Sequence, residues 1–323
     1  MMHPAFILFY SSLLFSIFLV VSCNSLVVCW LGLEINMLSF IPLMIMKNNK
    51  YSSECALKYF LVQAVASLLI FTGCLGMNYS FLMENLVVAG LLVKLGCAPM
   101  HQWVPGVVEG LSWGSLFIMF LMQKISPLAF MSVMSSYNSN LIISGVLLSA
   151  LVGSVGGLTS SSLRKIMAYS SIAQLSWILS ATLTSSGLWV SYFCIYFLIL
   201  SSLLMVLNDF EVFNLNKMLL LQGKYKYAIG LSLLSLGGLP PFSGFLPKFI
   251  VVSSLLSEGQ VYIFSFLLLG TFVSLFFYVR VVLTSMMMSS FNLSFSGGTG
   301  HKKEAKLVVN VFILGLPTLF FMF

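Results

Sequence analysis

Charge is what this sequence has least of: 7% of its 323 residues are Asp, Glu, Lys or Arg, against 59% hydrophobic side chains. A water-soluble domain carries roughly a quarter charged residues, so a chain this poor in charge faces lipid or other apolar helices over most of its surface. Histidine is nearly missing as well, with three residues, and no two of them share a span to hold haem. The six cysteines (Cys23, Cys29, Cys55, Cys74, Cys97 and Cys194) show no C-x-x-C spacing and fall mostly in apolar runs. They read as buried thiols rather than as an iron–sulfur or zinc site. Gly297-Gly-Thr-Gly300-His-Lys lacks Walker spacing and the closing Ser or Thr, and no G-x-G-x-x-G follows a strand-like run. A metal site, a cofactor site and a nucleotide fold are therefore not expected on this chain, and the excess of 15 Lys and Arg over 8 Asp and Glu bears on membrane orientation instead of nucleic acid.

What remains is an all-α polytopic membrane protein. At about 20 residues per span, plus short connections, the length holds roughly 11 transmembrane helices. Apolar runs place them near 3–22, 25–46, 57–77, 81–100, 112–134, 140–160, 166–184, 189–207, 227–256, 260–285 and 306–323. The first run lacks a basic n-region and a small-residue cleavage site and reads as a span; with no Arg-rich leader, a mitochondrial protein of this kind is expected to be made inside the organelle. Spans 4 and 9 are expected to be discontinuous, because Pro99 and Pro105, and Gly237-Gly238-Leu-Pro240-Pro241, put helix breakers at membrane depth. Broken helices are tolerated there only against protein or water. Each break also carries a lysine, Lys94 and Lys248, an echo of the paired interrupted helices of repeat-built transporters.

The loops after even-numbered spans carry Lys47 and Lys50, Arg164 and Lys165, Lys217, Lys224 and Lys226, then Lys302, Lys303 and Lys306, while the odd loops carry only Glu84 and Glu258. The positive-inside rule puts the basic loops and the N-terminus on the cytoplasmic or matrix side and the C-terminus opposite. The sequons at Asn78 and Asn292 fall on opposite faces, so they are not both glycan sites.

Four ionisable residues lie too deep to belong to loops: Glu34 in mid-span 2, Lys124 in mid-span 5, and Lys94 and Lys248 beside the breaks. Each costs free energy unless it is paired or used. Burial favours the neutral amine and a nearby carboxylate favours the ammonium, so a lysine held between the two can take up and release a proton. The bland alternative is snorkelling of the lysine stems and a static Glu34 pair, which is favoured for Lys58 and Arg280 near helix ends. Tyr59, Gln63 and Ser67 on one span, and Ser170 with Gln174 on another, recur at helical spacing and suit either a file of water or helix-to-helix hydrogen bonding. His101 suits either a surface relay or a cap on the broken helix.

Six motifs follow one another in order: Trp30-x-Gly-Leu-Glu34-Ile-Asn36; Leu57-Lys-Tyr59-Phe-x-x-Gln63-Ala-x-Ala-Ser67; Lys94-x-Gly-x-Ala-Pro99-x-His101-x-Trp103-x-Pro105; Gln123-Lys124-x-x-Pro127; Arg164-Lys-Ile-x-Ala-Tyr169-Ser-Ser-Ile-Ala; and Gly238-Leu-Pro-Pro-Phe-x-Gly244-Phe-x-x-Lys248. Together they resemble the subunit 2 family of NADH dehydrogenase, the antiporter-like membrane subunits of mitochondrial complex I. The resemblance covers spans 2 to 9 and implies an antiporter-like fold in a single transmembrane domain over 1–323, with a core at about 25–285 and flanking spans at 1–22 and 306–323. It implies a proton relay of Glu34 paired with Lys94 at the first broken helix, Lys124 as the central relay and Lys248 at the second broken helix, with Tyr59, Gln63, His101, Ser170 and Gln174 as accessory candidates. It further implies the mitochondrial inner membrane, with other membrane-arm subunits, sister antiporter-like subunits and lipids as partners. NADH, FMN, iron–sulfur clusters and ubiquinone are expected on partner subunits. Two other classes stay open: a stand-alone sodium/proton antiporter, and a purely structural membrane-arm subunit whose buried lysines are static pairs.

Overall fold

The computed structural model describes residues 4–23, 25–45, 50–77, 81–134, 139–219, 221–287 and 310. The expected span at 306–323 except Asn310, the loop from Gly297 to Lys306, Lys47, and the sequon residues Asn78 and Asn292 lie outside the described residues. The other residues singled out by name above fall within them.

Among the described residues the fold is all helix, without a strand. The helices are α1 (Pro4–Ser22), α2 (Leu26–Met44), α3 (Lys50–Gly76), α4 (Phe81–Leu95), α5 (Trp103–Val108), α6 (Trp113–Phe117), α7 (Gln123–Met134), α8 (Ser139–Thr159), α9 (Leu163–Thr184), α10 (Leu188–Asp209), α11 (Leu215–Leu219), α12 (Gly223–Gly237), α13 (Phe245–Ser257) and α14 (Val261–Met287). Seven of the described helical segments are long and apolar enough to cross a membrane, and the shorter apolar helices Phe6–Ser22 and Phe245–Ser257 accompany them. They group into two compact units that divide between Ser149 and Ala150. In the first, α3 packs on α4 and α2, α1 on α2, and α7 on α4, α1 and α2; in the second, α12 packs on α14 and α10, and α9 on α10, α13 and α14.

Two segments depart from the expected spans for identifiable reasons. Helix α3 starts at Lys50, seven residues before the apolar run that ends at 77. Its added turns are polar, and Glu54 pairs with Lys58 at i, i+4 with an N–O distance of 2.6 Å, a contact that supports a helix in water without any apolar signal. The run at 112–134, expected as one regular helix, contains a π-helical turn over Ile118–Met122 between α6 and α7. Pro127, four residues after Gln123, has no N–H to give to the Gln123 carbonyl. On the other side the Gln123 N–H reaches back five residues to the Ile118 carbonyl. The wide turn thus sets the orientation of Gln123 and Lys124, the first two residues of α7, and π turns inside helices gather at functional sites.

Two helix ends position the rest. Helix α4 stops at Leu95 and α12 at Gly237, and the next residue in each case is a left-handed glycine, Gly96 (φ 73°) and Gly238 (φ 82°). Glycine takes this conformation without the Cβ penalty of other residues and closes a helix with it. At Gly238 the space is also taken, since an added Cβ would stand 2.9 Å from Lys248 Nζ.

Candidate functional site: buried charges at two helix ends

Lys94 occupies the last turn of α4, where the helix dipole favours a cation. Its ammonium lies 3.9 Å from Glu34 Oε1 of α2, with side chains 3% and 20% exposed respectively. The lysine end of the pair is sealed, and although Glu34 keeps a fifth of its side chain exposed, Oε1, the oxygen that faces Lys94, is itself buried and accepts no hydrogen bond among the described residues. At 3.9 Å the two groups sit at the outer limit of an ion pair, so Glu34 retains capacity for another donor. The carbonyls at the end of α4 are met by backbone and side chains together: the Gly96 N–H donates to Val93 at 3.0 Å and the Cys97 N–H to Leu92 at 2.9 Å. Gln63 Nε2 donates to the Lys94 carbonyl at 3.4 Å, and Trp103 Nε1 to the Val93 carbonyl at 3.1 Å. This meets the requirement that a helix end in an apolar setting find donors or acceptors for its orphan groups.

Tyr59 of α3 is buried between the rings of Phe40, at 5.3 Å and 79°, and Trp103, at 5.8 Å and 61°. Its hydroxyl donates to Gln123 Oε1 at 3.0 Å. Gln123 Nε2 donates onward to Asn36 Oδ1 at 3.1 Å, and Asn36 Nδ2 to Ser126 Oγ at 2.7 Å. Lys124 is buried on α7 beside this chain of bonds, with the Cys97 thiol as an electrostatic neighbour. Asn36, Gln123 and Ser126 carry no role in the sequence reading, although two of them stand inside its motifs. The signal available was adjacency: Asn36 follows Glu34 by two residues and Gln123 precedes Lys124 by one.

The second helix end is built differently. Lys248 of α13 reaches back to the end of α12 and donates from Nζ to the carbonyls of Gly237 at 2.7 Å and Leu236 at 3.3 Å. The Trp177 ring lies 5.7 Å from Nζ at its centroid, within cation–π range. Gln174 Nε2 donates to the same Leu236 carbonyl at 2.8 Å, and Gln174 Oε1 accepts from Tyr192 at 2.5 Å. A cavity of about 10 Å³, the space of a single water, lies between Lys248, Gln174, Trp177, Thr271, Ser274 and Tyr278.

Not every candidate belongs to these clusters. Ser67 and Ser170 turn their hydroxyls onto their own helices, to the carbonyls of Ala64 and Met167 at 2.7 Å each, the usual resting place of a helical serine. His101 Nδ1 lies 3.1 Å from the Pro99 carbonyl, two residues away, in an exposed turn. Arg280 donates to the carbonyls of Leu158 at 2.8 Å and Ser160 at 3.4 Å, so it caps the end of α8. Among the described residues no group of His, Cys, Asp and Glu has the arrangement of a metal site.

A polytopic helical chain with lysines buried at two helix ends is matched over residues 23–276 by the family described as NADH:quinone oxidoreductase/Mrp antiporter, TM. The chain belongs to this family. It is similar to NADH-ubiquinone oxidoreductase chain 2 of Anopheles gambiae, with 41% identity over 87% of this chain and 86% of that one. To the chain 2 protein of Aedes aegypti it is 40% identical over the same shares. A chain in the structure of respiratory complex I from Thermus thermophilus with bound aureothin has the same fold, with a TM-score of 0.86 at 24% identity, over 97% of this chain and 78% of that one.

Proposed function

We infer that this chain is a core membrane subunit of respiratory complex I that takes part in proton translocation coupled to electron transfer from NADH to ubiquinone. The observation that carries the reading is the Lys94–Glu34 pair at 3.9 Å, set in a family member that also buries Lys124 and Lys248. Four ionisable groups inside apolar helices are a repeated free-energy cost that function offsets. Lys94 and Glu34 exchange charge within the first unit, Lys124 is the next proton station there, and Lys248 is the station of the second unit. Tyr59, Gln63 and Gln174 serve as hydrogen-bonding support; Ser170 and His101 contribute least.

The same reading gives an antiporter-like domain of 11 spans, two of them discontinuous at the ends of α4 and α12. The basic loops and the N-terminus lie on the matrix side of the mitochondrial inner membrane and the C-terminus on the intermembrane-space side, in keeping with the charge asymmetry. NADH, FMN, iron–sulfur clusters and ubiquinone bind to partner subunits, the chain itself supplies no redox centre, and its neighbours are other membrane-arm subunits, sister antiporter-like subunits and lipids.

The test is to solubilise native membranes gently, separate them on a native gel, stain for NADH oxidation and identify the chain by mass spectrometry. It is expected in the high-mass NADH-oxidising band. A chain that runs alone, and that exchanges sodium for protons when purified, would be a stand-alone antiporter instead.

A further inference from the structure

We propose that Gln123 is a positioning residue whose amide, together with that of Asn36, holds the Lys124 turn in place and keeps a side-chain proton path closed. This rests on the proton-translocating reading above. The bonds run from Tyr59 Oη to Gln123 at 3.0 Å, from Gln123 to Asn36 at 3.1 Å, and from Asn36 to Ser126 at 2.7 Å. A second, longer contact of 3.5 Å joins Gln123 Nε2 to the Asn36 carbonyl. Three helices are thereby tied together: α3 through Tyr59, α2 through Asn36, and α7 through Gln123 and Ser126. Gln123 stands where the π turn ends and α7 begins, so its amide fixes the turn that also carries Lys124.

The chemistry of the chain is as informative as its geometry. One end is the hydroxyl of Tyr59, an electrostatic neighbour of Glu34, and the other is the hydroxyl of Ser126, two residues from Lys124. A hydroxyl both donates and accepts and can hand a proton on. A side-chain amide accepts only at oxygen and donates only at nitrogen. To pass a proton it must take one at oxygen and lose another at nitrogen, which leaves the imidic acid tautomer. The two amides in series thus make a continuous line of hydrogen bonds that does not conduct. They are also uncharged, so the strut adds no ionisable group beside Lys124. Proton traffic between the Glu34–Lys94 pair and Lys124 must run over water, which is the path that conformational change can open and close.

The experiment uses membranes containing the assembled complex and the variants Gln123→Glu, Gln123→Met and Tyr59→Phe, with Lys124→Met as control. Assembly, NADH:quinone turnover as a function of pH, and protons moved per NADH are measured. Gln123→Met keeps the insulation and loses the strut: coupled turnover falls about tenfold, the scale set by leaving a buried donor and acceptor unsatisfied, and its pH profile stays in place. Tyr59→Phe shows the same behaviour with a smaller loss. Gln123→Glu puts an ionisable group in the line: the pH profile moves by about one unit, as a nearby charge produces, and protons per NADH fall. A wild-type rate for Gln123→Met, or an unmoved profile and wild-type stoichiometry for Gln123→Glu, would overturn the proposal. Asn36→Asp places the same group at the second amide and answers the question if Gln123→Glu does not assemble. Full stoichiometry in Lys124→Met sinks the proton-translocating reading itself, whatever the Gln123 variants do.

Discussion

The ends of α4 and α12 solve one problem with two kinds of partner. At each, a left-handed glycine stops the helix and a glutamine from a neighbouring span donates to a terminal carbonyl, Gln63 to Lys94 and Gln174 to Leu236. The lysines then part ways. Lys94 belongs to the helix that ends, its terminal carbonyls are taken by the neutral donors Gln63 and Trp103, and its ammonium turns to the Glu34 carboxylate. Lys248 comes from the following helix and itself fills the carbonyl end of α12, beside the Trp177 ring, with no carboxylate in ion-pair range among the described residues. A carboxylate is a partner that can gain or lose charge, whereas carbonyl dipoles and a ring face are fixed. The first arrangement couples the state of Lys94 to that of another titratable group, and the second gives Lys248 a constant solvation shell.

The largest effects are expected where a charge loses a charged partner. Lys94→Met strands the Glu34 carboxylate, and breaking a buried pair in this way costs about 3–5 kcal/mol. It should lower the temperature at which the NADH-oxidising band is lost from native gels. Adding Glu34→Gln to Lys94→Met should recover much of that loss, since the double variant leaves no stranded charge, while coupled proton movement stays lost. A double variant no more stable than Lys94→Met alone would show that the pair is not the stabilising unit. Lys248→Met leaves only neutral carbonyls without a donor, at about 1–3 kcal/mol, and one of the two, Leu236, keeps Gln174. Equal losses for Lys94→Met and Lys248→Met in the same heating experiment would erase the distinction between the two ends.

How much of this could be read without coordinates follows from what each signal depends on. The seven long apolar helices were legible because hydrophobic runs are local, and the ends of α4 and α12 because Pro99, Gly238 and Pro240 announce themselves by chemistry. The start of α3 was not, because its first turns are held by a charged pair in a polar stretch. The π turn before Lys124 was not, since it answers to a missing bond at Pro127 and leaves no periodicity of its own in five apolar residues. Glu34, Lys94, Lys124 and Lys248 stood out because charge in an apolar run is rare. Apart from the Glu34–Lys94 pairing, which the resemblance implied, their surroundings did not: whether Gln63 lines water or caps a carbonyl depends on which helix lies across from it. Asn36 and Gln123 were hidden for the same reason, being neutral amides whose meaning arises only when α2, α3 and α7 come together.

The smallest effect concerns the turn after α4, where the comparison between the two ends is least symmetrical. His101 supplies a titratable ring there, and the corresponding turn after α12 has none between Gly238 and Phe245. A carbonyl only accepts, so the contact between His101 Nδ1 and the Pro99 oxygen at 3.1 Å makes Nδ1 the donor and leaves Nε2 as the acceptor. As a cap, the ring is replaceable by another donor of similar reach. His101→Gln should then change stability by no more than about 0.5 kcal/mol, the ordinary scale of a surface substitution, so that the heating midpoint barely moves and coupled turnover and its pH profile are unchanged. A turnover loss confined to one side of the pH range, with assembly intact, would instead make His101 a relay and give the α4 end a titratable outlet that the α12 end lacks.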